Sequence, residues 1–180
     1  MIPLGCMAKR VHTKPDRFHA SHVADIYSVS NCNCEDLAEN IQYWKHNGYW
    51  FFDSPDTIKE NSIQLEGTLL FYYQAGEMEC DGERWGSWSQ EQTFRTQVAP
   101  PSWKKLKGFE VANFTARTFP ECSGLSCSSW ATELPTNAHC SFDSFEEAEA
   151  NVTPGAFNAS DSSEPGHYGI FSAYSLDWPY

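Results

Sequence analysis

A short run of residues that recurs after 90 positions is the feature that most constrains the fold of this chain. Residues 47–54 read NGYWFFDS and residues 137–144 read NAHCSFDS, so both runs begin with Asn and end in Phe-Asp-Ser. The same offset aligns Cys32 with Cys122. A repeat at a fixed spacing is the sequence signature of an internal duplication. We therefore expect two similar halves, related by a pseudo-twofold axis.

Each half is predicted to follow the order β-α-β-α-β. In the first repeat, residues 23–75, alternating side chains predict a strand over 23–30. Apolar residues spaced by four and three then predict a helix from 35 to 44. Ser54 followed by Pro55 has the composition of a helix start, with Ser54 as the N-cap. A continuous apolar run predicts the closing strand.

The second repeat, residues 109–180, is predicted to contain the same elements. One helix follows Ser126, and a capping box formed by Ser144 and Glu147 opens the next. The buried side of this second helix is predicted to consist of Phe145, Ala148 and Val152. The last strand is predicted over 168–174. The sequence therefore predicts an α+β fold, in which two duplicated β-α-β-α-β halves share one mixed sheet with helices packed on it.

Two segments lie outside the predicted repeats. Residues 1–22 are mixed and basic, and we expect them to form a partly ordered arm. Residues 76–108 are rich in Trp and Pro, and their length and composition predict an ordered loop that crosses one face of the protein. A length of 180 residues suits a single compact domain overall.

The negative charge of the chain is concentrated in its second half. The whole chain has a formal charge of −12, and residues 118–180 hold nine acidic residues and no Lys or Arg. Nucleic acids and anionic membrane surfaces are poor partners for such a chain, because both require clustered cations. A basic protein would be attracted to the second half. The alternative is that the acidic residues only keep the protein soluble.

Acidic and aromatic residues are the candidates for partner binding, because Trp is enriched in binding hot spots. The residues concerned are Glu146, Glu147, Glu149, Asp161, Glu164, Trp85 and Trp88.

Three of the seven cysteines are candidates for a reactive thiol. Cys32 is predicted just ahead of a helix, and Cys122 and Cys127 occupy the corresponding region of the second repeat. A helix N-terminus stabilises a thiolate, so these positions are compatible with a nucleophile or a redox thiol. Neither copy has the C-x-x-C spacing of a redox motif, which favours small buried cysteines that fill space.

A zinc site is a weaker alternative. Its candidate ligands are Cys122, Cys127, His139 and Cys140, but their spacing differs from that of ordinary zinc motifs. Alternation along a strand would also place His139 and Cys140 on opposite faces. The sequence has no G-x-S-x-G, H-E-x-x-H, phosphate-binding loop or dinucleotide fingerprint. We therefore predict no cofactor and no metal, and an enzymatic activity is not favoured.

The compartment follows from the absence of targeting features. No apolar run reaches the length of a membrane span, and no cleavable signal segment is recognisable at the N-terminus. We therefore expect a cytoplasmic protein with reduced thiols. Translation from Met1 or from Met7 is compatible with this sequence.

Three phrases resemble a widespread group of bacterial proteins of unassigned function. They are residues 43–50 (YWKHNGYW), 53–55 (DSP) and 120–127 (PECSGLSC), and the resemblance extends over most of residues 8–179. It implies a bacterial, cytosolic origin and brings no site residues with it.

The negative charge and the aromatic content favour a binding protein over an enzyme or sensor. The leading hypothesis is an acidic protein-binding or inhibitory protein, such as an immunity protein or antitoxin that masks a basic partner. The alternative is a small-molecule enzyme or sensor that uses Cys32 or Cys122 in a cleft between the repeats. The sequence leaves the partner and the oligomeric state open.

Overall fold

The structure, a computed structural model, describes 13 elements of secondary structure. Its described residues are 2–13, 19–28, 30, 35–36, 52, 54–60, 68–77, 79–80, 83–84, 102–115, 119–126, 130–151 and 168–176. The elements in chain order are β1 (Ile2–Arg10), β2 (His12–Thr13), β3 (Asp25–Ile26), β4 (Glu35–Asp36), α1 (Pro55–Glu60), β5 (Thr68–Glu77), β6 (Glu79–Cys80), β7 (Glu83–Arg84), β8 (Lys104–Thr115), β9 (Phe119–Ser123), a 3-10 helix (Trp130–Thr132), α2 (Phe145–Asn151) and β10 (Tyr168–Leu176).

A six-stranded sheet with the order β4-β1-β5-β10-β8-β9 forms the centre of the molecule. Every described pair within it is antiparallel. The predicted α+β class is confirmed, but the predicted mixed sheet is wrong for the described strands. The longest strands, β1, β5, β8 and β10, lie side by side with alternating direction, so no parallel crossover is needed.

The N-terminal segment belongs to the sheet, which corrects the predicted arm over residues 1–22. Strand β1 lies between β4 and β5, and its residues Cys6, Met7 and Ala8 are buried. The cations nearby in sequence obscured this short apolar run. Likewise, β8 begins at Lys104 and therefore includes the end of the predicted connecting segment over residues 76–108.

The two outer pairs of long strands have the same register. Cys6 lies opposite Phe71 where β1 pairs with β5, and Phe109 lies opposite Ser172 where β8 pairs with β10. Moving one residue towards the C-terminus of β1 or of β8 from these positions moves the paired residue of β5 or of β10 back by one. Counterparts are separated by 103 residues between β1 and β8, and by 101 residues between β5 and β10.

A β-bulge interrupts the register at the same place in both pairs. Leu4 is the unpaired residue in β1, and Lys107 is the unpaired residue in β8. Each is followed by a glycine with positive φ, 118° at Gly5 and 143° at Gly108. A glycine is needed there because L-residues with a side chain rarely adopt these angles.

The Phe of the recurring Phe-Asp-Ser motif attaches the chain to the sheet. Phe52 forms an isolated antiparallel bridge with Cys6, and Phe142 forms one with Phe109. In each bridge the two residues exchange backbone hydrogen bonds of 2.8–3.0 Å. Both aromatic side chains are buried. The motif therefore recurs because it makes the same backbone and core contacts twice.

A capped helix follows each of these bridges, as the sequence predicts. The Ser54 hydroxyl accepts a hydrogen bond from the Thr57 amide at 3.3 Å, and the Ser144 hydroxyl accepts one from the Glu147 amide at 3.0 Å. The Glu147 carboxylate in turn accepts a bond of 3.0 Å from the Asp143 amide. These bonds satisfy amides that the first turn of a helix leaves without partners.

One hydrophobic cluster lies between β8, β10, α2 and the segment of residues 20–26. Phe142 and Ala148 are fully buried within it, and Phe145 packs against it. The predicted buried side of α2 is therefore confirmed at Phe145 and Ala148. The buried members of the cluster are Ala20, Val23, Ile26, Val111, Leu125, Ala131, Cys140, Phe142, Ala148 and Ile170.

Three local predictions differ from the structure. The predicted strand over 23–30 is reduced to β3, which pairs with β2. Residues 35–36, expected in the first turn of a helix, form β4 at the edge of the sheet, while 37–50 lie outside the described residues. The described helix after Ser126 is the single 3-10 turn. Edge pairing with β1 outweighs local helix propensity at residues 35–36.

We expect Gly108→Ala to be strongly destabilising. A Cβ atom at this position would lie 2.5 Å from the Ser141 Cβ, 2.6 Å from the Phe142 carbonyl oxygen and 2.8 Å from the Asn137 Nδ2. Together with the strain of a positive φ, this should lower the free energy of unfolding by about 3 kcal/mol. Urea denaturation measures the change. Ser102→Thr, which adds one methyl group at an exposed turn, is the control and should leave the midpoint unchanged.

Candidate functional site

Helix α2 displays the three predicted partner-contact acids that the structure describes. Glu146 and Glu149 are exposed, and Glu147 is partly exposed while it caps the helix. We call these three residues the acidic face of α2. The remaining candidates lie outside the described residues; they are Asp161, Glu164, Trp85 and Trp88.

The acidic face of α2 is fixed in orientation by the opposite side of the helix. Ala148 is fully buried and Phe145 packs on the core, so the exposed carboxylates must point away from the sheet. Glu146 and Glu147 lie in the first turn, where the helix dipole stabilises negative charge. Glu149 lies beyond that turn. Among the residues that the structure describes, neither Glu146 nor Glu149 makes an ion pair.

The candidate reactive cysteines are not brought together in the described structure. Cys32 and Cys127 lie outside the described residues. Cys122 lies in β9 opposite Asn113, so its prediction as a helix N-terminal residue is wrong. The strand position that corresponds to Cys122 at the other edge is held by Glu35, which pairs with Arg10 as Cys122 pairs with Asn113. The repeat offset of 90 therefore does not apply at the sheet edges.

The adjacent candidate metal ligands His139 and Cys140 point into different surroundings. Cys140 is buried in the hydrophobic cluster, whereas the His139 side chain is partly exposed. Across the described part of the chain, no three His, Cys, Asp or Glu side chains are grouped closely enough to hold a metal ion. The described geometry therefore gives no zinc ligand set that includes His139 and Cys140.

His139 makes a short contact with Asp25 across 114 residues of sequence. Its Nδ1 lies 2.5 Å from a carboxylate oxygen of Asp25, and about one third or less of each side chain is exposed. Backbone bonds support the contact, because the amides of Ala24 and Asp25 both donate to the Ala138 carbonyl, at 2.9 and 3.2 Å. A carboxylate at Nδ1 fixes the orientation of the imidazole ring and directs Nε2 away from it.

Tyr27 and Lys107 complete a group of four side chains that we call the His139 cluster (Asp25, Tyr27, Lys107 and His139). The Tyr27 ring meets the imidazole edge-to-face, with centroids 5.2 Å apart. The Nζ of Lys107 lies over the same Tyr27 ring, 4.5 Å from its centroid. The phenol ring therefore has the Lys107 ammonium over its face and the His139 imidazole next to it.

Asn137 organises the turn that holds His139. Its Oδ1 accepts hydrogen bonds from the amides of His139 and Ser141, at 2.8 and 3.2 Å. Its Nδ2 donates to the Lys107 carbonyl at 2.9 Å and to the Asp143 carboxylate at 3.0 Å. One side chain therefore joins the turn to the bulge of β8 and to Asp143, two residues before α2.

A buried carboxylate fixes the segment that contains Asp25 and Tyr27. Glu110 of β8 is almost fully buried and accepts a hydrogen bond from the Ser28 hydroxyl. The same hydroxyl oxygen accepts a bond of 3.0 Å from the Ser30 amide. Burying a carboxylate is unfavourable unless hydrogen bonds compensate it, so Ser28 is a required partner rather than a surface residue.

Sequence reasoning missed three members of this cluster and identified only His139. Asp25 and Tyr27 are ordinary residues of a predicted strand, and Lys107 was assigned to the connecting segment. The available signal was Asn137, the first residue of the recurring motif. A repeated Asn before a turn indicates side-chain hydrogen bonding to the backbone, which is what the structure shows at Asn137.

The Asp25–His139 contact should be measurable as an energetic coupling. We expect Asp25→Asn and His139→Gln to be non-additive in a double-mutant cycle, with a coupling of about 1 kcal/mol, because each side chain is partly screened by solvent. Urea denaturation at pH 6.5 and low salt supplies the four free energies. Asp25→Asn combined with Glu149→Gln is the control cycle and should be additive; a coupling of equal size there would show that the contact is not specific.

Comparison with protein-family models, with curated protein sequences and with solved structures finds no match to this chain. The resemblance of residues 43–50 and 120–127 to bacterial proteins therefore stays a prediction. Within the described ranges, no helix combines the length and apolar character that crossing a membrane requires. Function is accordingly inferred from the two surfaces described above, the acidic face of α2 and the His139 cluster.

Proposed function

We propose that this chain is an acidic binding protein that masks a basic partner protein, in the manner of an immunity protein or antitoxin. The observation that supports this proposal is the acidic face of α2. Glu146 and Glu149 are exposed there without an ion-pair partner among the described residues, on a helix whose other side is buried. The alternative of an enzyme or sensor depends on Cys32 or Cys122, and no described contact favours it.

The rigidity of α2 supports a binding role. Its N-terminus is capped by Ser144, Asp143 is joined to it through the Glu147 carboxylate, and Ala148 fixes its rotation against the sheet. A surface that is already ordered loses little conformational entropy when it binds. The acidic face is therefore prepared for a partner without rearrangement of the helix.

The charge distribution supports a basic partner in particular. Residues 118–180 have nine acidic residues and no Lys or Arg, so α2 lies in a stretch of chain with a net charge of −9. Such a field accelerates encounter with a positively charged protein and is weakened by salt. Like charges at Glu146 and Glu149 are slightly unfavourable in the free helix, and a cationic partner would relieve that repulsion.

We infer further that the chain arose by duplication of a unit containing a long strand, a Phe bridge, a capped helix and a second long strand. Supporting observations are the equal register of the β1–β5 and β8–β10 pairs and the shared bulge. The central pairing of β5 and β10 is also symmetric about the opposed residues Tyr72 and Ala173. The unit begins at β1, and not at residue 23 as the sequence repeat indicates.

This duplication predicts how the halves superpose in an experimental structure. We expect β1 to overlay β8 and β5 to overlay β10 with Gly5 on Gly108, because both glycines follow the bulge. The measurement is the superposition of the two halves of a crystal structure, by rotation about an axis near Tyr72 and Ala173. A best overlay that shifts Gly5 away from Gly108 by one or more residues would contradict the inferred unit.

We also propose that the protein acts in the cytoplasm and is of bacterial origin. Cys6 and Cys140, two of the described cysteines, are buried and form no disulfide, which accords with a reducing compartment. The bacterial origin rests only on the resemblance of residues 43–50 and 120–127. Both parts of the proposal are secondary to the binding role of α2.

Charge reversal on α2 should abolish partner capture. We expect the tagged Glu146→Lys, Glu149→Lys variant to lose the basic protein that the wild type retains from a lysate of the source organism, with affinity reduced by about 100-fold at low salt. Mass spectrometry identifies the retained protein, and calorimetry with that purified partner gives the affinity.

The Asp56→Lys, Glu60→Lys variant is the matched control for this experiment, because it also reverses two charges. Asp56 and Glu60 are exposed acids of α1, so their reversal changes the total charge by the same amount without altering the acidic face of α2. We expect it to retain the partner with affinity within a few-fold of the wild type, since distant surface charges are largely screened. Equal loss in both variants would assign the effect to net charge, and retention by the α2 variant would remove the proposed site.

A further inference from the structure

We propose that residues 19–28, which we call the strap, open from the second half of the protein as one unit while the six-stranded sheet stays folded. The strap lies between β1 and β4 in the chain. It nevertheless packs against β8, α2 and the turn at residues 137–142, all of which belong to the second half. Opening exposes part of the hydrophobic cluster and the thiol of Cys140. The inference does not rest on the binding role of α2.

The strap is an addition to the duplicated unit inferred above. Residues 11–34 separate β1 from β4, whereas residues 116–118 separate the corresponding strands β8 and β9. The long strands have the same register in both halves, so the sheet itself does not require the longer connection. Strand β3 of the strap pairs with β2 in a two-stranded sheet that is separate from the main one. Because two paired strands are marginally stable by themselves, the strap depends on the surface beneath it.

Three apolar side chains hold the strap on the second half. Ala20, Val23 and Ile26 recur at every third residue, and all three are buried in the hydrophobic cluster. His22 and Ala24, which lie between them, are exposed, so one side of the strap faces inward and the other faces solvent. The three buried side chains share one cluster, so lifting one of them weakens the packing of the others. We therefore expect the strap to open cooperatively.

Hydrogen bonds close the strap near both of its ends and at its centre. The His22 Nε2 lies 2.9 Å from the Thr136 hydroxyl oxygen, and the Ser28 hydroxyl donates to the buried Glu110 carboxylate. Between them, two strap amides donate to the Ala138 carbonyl. The long strands of the sheet are instead joined along their length by ladders of backbone bonds. Release of the strap therefore leaves those ladders intact.

Two buried cysteines distinguish strap opening from unfolding of the sheet. Cys140 lies in the cluster to which the strap contributes, directly after His139 and Ala138, which bond to the strap. Cys6 is also buried, but it lies in β1 and is held by the backbone bridge to Phe52. A buried thiol reacts with an alkylating reagent from conformations that expose it. Cys140 therefore reports on the strap, and Cys6 reports on the sheet.

Alkylation of the reduced full-length protein with iodoacetamide tests the strap. Peptide mapping by mass spectrometry gives the rate at each cysteine, without urea and at several low urea concentrations. We expect Cys140 to react about tenfold or more faster than Cys6, with a weaker dependence on urea, because strap opening exposes less surface than unfolding does. Equal rates with equal urea dependence would overturn the proposal. So would a Cys140 thiol that reacts as fast as one in an unfolded peptide.

Two matched substitutions assign the opening to the strap. Ile26→Val and Ile58→Val each shorten an almost fully buried side chain, the first in the strap and the second in α1. We expect Ile26→Val to raise the Cys140 rate about fivefold and to leave the Cys6 rate within about twofold of the wild type. Ile58→Val should raise the Cys6 rate more than the Cys140 rate.

An equal rise of both rates in Ile26→Val would show that Cys140 is exposed by unfolding of the whole protein, and would remove the strap as a separate unit. The binding role of α2 is tested separately, because Ile26→Val leaves the acidic face unchanged. We expect this variant to retain the partner as the wild type does, so failure of partner capture and failure of strap opening are distinguishable.

Discussion

The close approach of the turn at residues 137–142 to strand β8 is the constraint on which the second half of this protein depends. Gly108 permits it, because a side chain there would overlap Ser141, Phe142 and Asn137. The approach lets Phe142 exchange backbone hydrogen bonds with Phe109 and bury its ring. Helix α2 starts directly afterwards, so its position on the sheet follows from this one contact. A core anchored by main-chain bonds tolerates little displacement.

Two surfaces of different character result from the same turn. On one side, Asp143 and Ser144 lead into α2 and are joined by hydrogen bonds to Glu147 of its acidic face. On the other side, Asn137 and His139 meet the bulge of β8 and strand β3. Both surfaces are stabilised by the hydrogen bonds of Asn137, which joins the Lys107 carbonyl to the Asp143 carboxylate. Damage to this turn should therefore disturb both surfaces, whereas changes to exposed side chains should separate them.

The first half contains the same backbone devices with different side chains. A bulge, a positive-φ glycine, a Phe bridge and a serine-capped helix occur in both halves. The residue at the bulge is Leu4 in one half and Lys107 in the other. Each device satisfies backbone hydrogen bonds that are costly to leave unpaired, so it places few demands on the side chain beside it. Function in such a fold is therefore expected to reside in the differences between the halves.

Local signals in the sequence are sufficient to identify the recurring Phe-Asp-Ser motif. They also predict the caps at Ser54 and Ser144, the buried side of α2 and the existence of β5 and β10. Each depends on residues within a few positions of one another, so spacing alone is informative. Only the tertiary structure decided that β1 is an inner strand, that the described sheet is antiparallel, and that Asp25 meets His139 across 114 residues. Strand order and long-range pairing depend on which surfaces are buried together, and no local period records that choice.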